Sequence, residues 1–304
     1  MSNTINGVIP VAPTIFDDNE DLDLAGQRRV VDYLIDGQAD AVCVLANYSE
    51  QFSLTDMERD QVVDATLEQA AGRIPVVVTT SHYSSRIAAE RCRSAQEQGA
   101  SMVMLMAPFF GASMKVDEDG VVEYFKRVTD GLDIDVMIQD APLSPTPLSV
   151  PLLARLAREI PQVRYVKIEM PQTADKLRSL IAAAGADLPG AFDGEEAITL
   201  IPDLEAGARG TMSSCMVPDQ LGRIVRDFAA GKRAEAVAQW EELLPLIHFE
   251  NRQCGLRAAK VLMKEGRIIG SDLTRGPFGP LHPATRAQLI ELAKRKDPLV
   301  LRWA

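Results

Sequence analysis

The chain has 304 residues, 46% of them hydrophobic and 25% charged, which is enough apolar material for a sizeable core in one large domain or two ordinary ones. A formal charge of −11, from 32 basic and 43 acidic residues, argues against a nucleic-acid partner and requires that any anionic ligand be held by local donors. Cys43, Cys92, Cys215 and Cys254 are scattered without a CxxC pair, the chain opens without a basic region leading into an apolar one, and its most apolar run, 102–111, is too short to cross a bilayer. Reduced thiols, no secretory signal and a cytoplasmic location are expected.

Short apolar runs begin near Val8, Ala41, Pro75, Met102, Asp135, Val163, Gly190 and Arg209. Helix-like stretches follow them at 23–36, 55–71, 84–98, 118–131, 149–158, 173–184, 195–206 and 219–230. Thr55-Asp56-Met57-Glu58 fits a capping box, Ser149 and Thr173 suit N-caps, and Gly72, Gly99, Gly131 and Gly207 suit helix ends. Eight β-then-α units in residues 1–231 predict an α/β fold of the (β/α)8 TIM-barrel class. An open doubly wound sheet is disfavoured because no GxGxxG turn follows the first strand. Further helical patterns at 232–244, 249–265 and 283–296, with the turn Gly276-Pro277-Phe278-Gly279-Pro280 before the last, predict a helical extension over 232–304 packed on the barrel as one structural unit.

In such a barrel the chemistry sits where strands end. In strand six, alternation puts Val163, Tyr165, Lys167 and Glu169 on one face. In a dry pocket, burial lowers a lysine's pKa and makes it a nucleophilic amine, able to form an imine with a ketone while the glutamate carries protons. The bland alternative is a solvated Lys–Glu pair at a strand end. Strand two runs into Ala46-Asn47-Tyr48-Ser49-Glu50, whose amides and hydroxyls suit a carboxylate, or else form an ordinary loop in which Glu50 supports the next helix. His82, after strand three, either bonds a substrate hydroxyl or is structural, whereas His248 and His282 fall in the extension and are structural. Ser213 or Ser214 could donate to a substrate or cap the next helix. The histidines are far apart and the acidic residues show no ligand spacing, so no metal site is expected.

Together these positions resemble the N-acetylneuraminate lyase and dihydrodipicolinate synthase superfamily of class I Schiff-base enzymes, from Gly7-Val8-Ile9-Pro10 through the C-terminal helices. The resemblance implies that Lys167 forms the imine, that Ala46–Glu50 corresponds to the family's Gly-Thr-Thr-Gly-Glu turn, and that Gly210–Ser213 corresponds to its Gly-x-x-Ser. The family's Tyr-Asn-x-Pro reads Gln139-Asp140-Ala141-Pro142 here, and its tyrosine pair after strand four reads Phe109-Phe110. Glutamine does not titrate, so the proton relay of aldol chemistry is missing, while Glu169 stands two residues beyond the lysine. Ala-Asn-Tyr-Ser-Glu, Ser-His-Tyr, Ile-Gln-Asp-Ala-Pro and Lys-Ile-Glu are similar to the dehydratases of 2-keto-3-deoxy sugar acids, the 2-keto-3-deoxy-L-arabonate dehydratases among them. What this implies is a cofactor-independent hydro-lyase with Lys167 and Glu169 as catalytic residues and Asn47, Tyr48, Ser49, His82, Gln139, Gly194 and Ser213 around a small 2-keto-3-deoxy acid. Retro-aldol cleavage to pyruvate and a silent sugar-acid sensor are the alternatives. The resemblance also implies a homotetramer, to which an exposed Phe109-Phe110 would suit a subunit contact.

Overall fold

The computed structural model describes residues 4–109, 111 and 116–304. Its first strands and helices are β1 (Gly7–Val8), α1 (Leu24–Asp36), β2 (Val42–Val44), α2 (Asp56–Ala70), β3 (Val76–Thr79), α3 (Ser85–Gln98), β4 (Met102–Met106) and α4 (Glu118–Thr129). β5 (Asp135–Asp140), α5 (Val150–Glu159), β6 (Val163–Ile168), α6 (Thr173–Ala184), β7 (Gly190–Asp193), α7 (Leu200–Glu205), β8 (Gly210–Thr211) and α8 (Pro218–Ala229) complete the repeat. The helices α9 (Arg233–Phe249), α10 (Arg257–Glu265) and α11 (Pro283–Lys294) follow. The sheet order is β1-β8-β7-β6-β5-β4-β3-β2, and Val11, just past β1, bridges both Cys43 in β2 and Ser214 beyond β8 in the parallel sense. That connectivity is the (β/α)8 fold.

Clustering of the chain gives two compact units. One comprises Val77–Glu195 and Thr199–Thr211 with the residues up to Asn6; the other comprises Gly7–Val76, Glu196–Ile198 and Met212–Ala304. In the first unit β3 and β4 are buried along their whole length, as expected of parallel strands covered on both faces, which is why they read as unbroken apolar runs. β5 and β6 pair with Gln139 opposite Lys167, and β6 and β7 with Lys167 opposite Phe192. No helix among the described residues is long and apolar enough to cross a membrane.

Caps fall largely where the sequence puts them: Thr55 and Glu58 form a capping box, and Ser149 Oγ accepts from Leu152 N. Thr173 does not cap. The cap is Gln172 at φ 63°, and the Thr173 hydroxyl donates to Met170 O at 2.6 Å. The helix expected over 195–206 shrinks to Leu200–Glu205, because Glu196 and Ala197 hold positive φ and the backbone cannot be helical there. Conversely α9 runs through Pro245 to Phe249. A proline inside a helix costs about 3 kcal/mol, but buried Leu243, Leu246 and Ile247 each return about 1.5–3 kcal/mol, so packing wins. The helix expected over 249–265 is divided: a π-helical segment, Glu250–Cys254, ends at Gly255, whose φ of 59° stops it, and α10 then begins. Phe109 is half-buried rather than exposed, and Phe110 lies outside the described residues.

Candidate active site

Lys167 is the second-last residue of β6, and Glu169 follows the strand directly. Alternation brings both side chains to one face, and Lys167 Nζ lies 2.6 Å from Glu169 Oε1, with the two side chains 4% and 15% exposed. A solvated pair would be mostly exposed, so that reading does not describe this pair. The Glu169 backbone is fixed by its N–H donating to Asp140 O at 2.9 Å, which carries the β5–β6 ladder one step past the strand.

Gln139, the β5 neighbour of Lys167, is 1% exposed and donates from Nε2 to Glu169 Oε1 at 2.7 Å. A carboxylate only accepts, which orients the amide: its nitrogen faces Glu169, and Oε1 is left buried without a partner among the described residues. Both donors therefore converge on Glu169 Oε1, and Oε2 is the carboxylate oxygen that no described side chain engages.

Gly194 belongs to the same cluster for a steric reason. A Cβ there would sit 2.7 Å from Cγ of both Lys167 and Glu169 and 2.9 Å from Ile168 O. Only glycine lets β7 pass this closely. Beside it, Asp193 Oδ2 accepts from Thr211 Oγ1 at 2.6 Å, and Oδ1 accepts from Glu195 N at 3.0 Å. His82, in the same unit, accepts from Ser84 N at Nδ1, 3.0 Å away, just ahead of α3. Its carbonyl accepts from Tyr124 Oη at 2.7 Å, and its ring stacks on Tyr83 at 4.9 Å.

The remaining predicted residues belong to the other unit. Asn47–Ser49 is a 3-10 turn that places Glu50 at φ 57°. Its bonds use the amides of Ser49, Glu50 and Gln51. Ser49 Oγ gives its one proton to Ala12 O at 2.6 Å and accepts from Ala46 N at 3.1 Å, while Asn47 Oδ1 accepts from Gln51 Nε2 at 2.6 Å. Ser213 is buried, with its hydroxyl 3.3 Å from Ser214 O, and its carbonyl accepts from Val11 N at 2.8 Å. The Glu50 side chain turns to the C-terminal helical part instead of the next helix: it pairs with Lys260, which is wholly buried, and accepts from Arg275 N at 2.8 Å. Lys260 Nζ also donates to Leu273 O at 2.8 Å and sits 4.6 Å over the Phe16 ring. Burial pushes the Lys260 pKa down, against the pull of Glu50.

Two features escaped the sequence reading. Lys176 on α6 pairs with Asp140, and Lys260 pairs with Glu50 across 210 positions. A lysine in a helical pattern looks like any solvated one, so nothing local marks either partner. No group of three or more histidines, cysteines or carboxylates able to hold a metal occurs among the described residues.

Residues 4–296 match the model of the dihydrodipicolinate synthetase family. The chain belongs to that family. An Azospirillum brasilense relative, L-2-keto-3-deoxyarabonate dehydratase, is 52% identical over 98% of this chain and 96% of its own length. A 4-hydroxy-tetrahydrodipicolinate synthase of Thermomicrobium roseum is 29% identical over 89% of this chain and 88% of its own. Among solved dihydrodipicolinate synthetase structures, a putative one from Pseudomonas aeruginosa superposes with a TM-score of 0.90 at 26% identity, covering 98% of this chain and all of that one. The Aquifex aeolicus synthase gives 0.89 at 23%, covering 96% and 98%, which shows the shared barrel.

Proposed function

We propose that this family member is a Schiff-base hydro-lyase that converts 2-keto-3-deoxy-L-arabonate to 2,5-dioxopentanoate and water. The observation that carries the reading is the convergence of Lys167 and Gln139 on one oxygen of Glu169, in the place where a titrating tyrosine would serve aldol chemistry. The 52% identity to a protein named for this dehydration supports it.

Lys167 adds to the C2 ketone and, with loss of water, forms a protonated imine that acidifies C3. Glu169, through Oε2, takes a C3 proton and returns it to the C4 hydroxyl, which leaves as water. Tautomerisation toward C5 and hydrolysis of the imine release the aldehyde and regenerate Lys167. One water is formed with the imine and one consumed at its hydrolysis, so the net change is loss of a single water. Gln139 keeps Glu169 Oε1 engaged, so that Oε2 does the proton transfer, and Gly194 leaves room for both catalytic side chains. Asn47, Tyr48 and Ser49, in the turn after β2, are the residues proposed to hold a substrate carboxylate. His82 and Ser213 are the proposed donors to its other oxygens. A cytoplasmic homotetramer without a cofactor completes the proposal, on the strength of the family resemblance.

The test is a panel of 2-keto-3-deoxy acids assayed for semialdehyde and pyruvate together. Semialdehyde without pyruvate is expected; pyruvate alone overturns the dehydratase reading in favour of cleavage. Borohydride should trap a substrate adduct on the enzyme but none on Lys167→Ala, and absence of the adduct from both would leave a sensor.

A further inference from the structure

The end of β5 is gripped by a cation that the reaction above does not use. Lys176 Nζ lies 2.5 Å from Asp140 Oδ2 and donates to Leu148 O at 2.7 Å, so it clasps both ends of the segment that follows β5. Thr146, within that segment, donates to Pro108 O at 2.7 Å and ties it to the exit of β4. The clasped strand end supplies two contacts of Glu169 besides that of Lys167: the Gln139 amide on its Oε1 and the Asp140 carbonyl on its N–H. Because neighbouring residues of a strand face opposite ways, Lys176 holds β5 from the side away from Glu169.

The two faces are also electrically connected. Burial raises the Asp140 pKa, Lys176 opposes the rise, and the Glu169 carboxylate adds to it. Around them stand Lys167 on β6, Asp193 on β7, bound by Thr211, the exposed Arg178–Asp175 pair on α6, and exposed Asp117 and Glu118 at the head of α4, which line the cavity shared by Asp140 and Lys176. Exposed charges are screened by solvent, whereas Asp140 and Lys176 are 5% and 20% exposed in their side chains.

We infer that Lys176 is a positioning residue for the Glu169 carboxylate, acting through Asp140: it fixes the strand end that holds Glu169 and cancels the Asp140 charge on the other side of that strand. This rests on Glu169 being the acid/base of the proposed reaction.

The experiment compares kcat against pH for wild type, Asp140→Asn, Lys176→Met and the double variant, with Glu169→Gln and borohydride trapping as references. Asp140→Asn removes a negative charge and leaves the Lys176 charge uncancelled across β5 from Glu169, which favours the carboxylate form, so the acid limb should move to lower pH by about half a unit or more. Removing Lys176 as well should bring it back. Lys176→Met alone should lower kcat about tenfold or more with the trapped adduct retained, as expected when a reacting group is held loosely. A purely structural pair would change melting temperature without moving the limb. If Asp140→Asn leaves the limb in place while Glu169→Gln is inactive, the inference is overturned; this arm decides even if Lys176→Met does not fold. Wild-type turnover by Glu169→Gln overturns the assignment beneath it.

Discussion

Lys167 and Glu169 form a 2.6 Å ion pair at one strand end, with the lysine almost wholly and the glutamate largely out of solvent. Two residues of spacing on a strand bring them to the same face, and the fold buries them there together. The pair is then refined from the neighbouring strands, by Gln139 on β5 and Gly194 on β7.

Glu169→Gln removes proton transfer and little else. Turnover should fall by about 10²–10⁴-fold, with imine trapping retained. Turnover close to wild type would assign the proton transfer to another group, His82 or Tyr48 being the first to examine.

Gly194→Ala places a methyl group against Cγ of both reacting side chains. Overpacking of this kind costs about 1–3 kcal/mol of stability. Displacing Lys167 and Glu169 by a fraction of an ångström to 1 Å should reduce kcat by up to about 10²-fold. Thermal unfolding and steady-state kinetics separate the two effects, and unchanged kcat would show that the site can absorb the methyl.

Lys260→Met strands the Glu50 carboxylate in the second unit's interior and should destabilise the protein by about 3–5 kcal/mol, whereas Lys260→Met with Glu50→Gln should recover much of that. Denaturant unfolding of both variants measures the difference. A double variant no more stable than the single one would refute the electrostatic reading of Glu50 as a support.

Two carboxylates give opposite pH signatures. Arg275, the largest influence on Glu58, holds its pKa at about 2 against an ordinary 4.5. Its stabilisation is therefore present above about 4.5 and is lost as pH falls toward about 2. Arg275→Met should flatten that part of the melting curve against pH. Burial, followed by the nearby Asp193 charge, lifts Asp203 from 3.8 to about 7, so the folded state holds its proton more tightly than the unfolded chain. Stability from Asp203 is fullest below 3.8 and declines as pH rises to about 7. Asp203→Asn should accordingly melt higher than wild type at pH values above 7 and gain little in acid; equal melting temperatures there would contradict the shift.

The repeat of strands and helices, the shared face of Lys167 and Glu169, the Thr55 capping box and the family of the chain could all be read from the sequence, because each rests on local periodicity or on a run of contiguous residues. The partners across strands could not. Register decides that Gln139 meets Glu169, and packing decides that Lys176 meets Asp140 across 36 positions and Lys260 meets Glu50 across 210. Local pattern also could not show where polar atoms would go: the Ser49 proton goes to Ala12, His82 Nδ1 accepts from Ser84 N, and positive φ at Glu196 and Ala197 delays α7. The sequence by itself determined which reactive groups share a strand end. Only the tertiary structure decided how they are buried, oriented and charged, since burial and hydrogen-bond satisfaction depend on residues that folding brings together from distant parts of the chain.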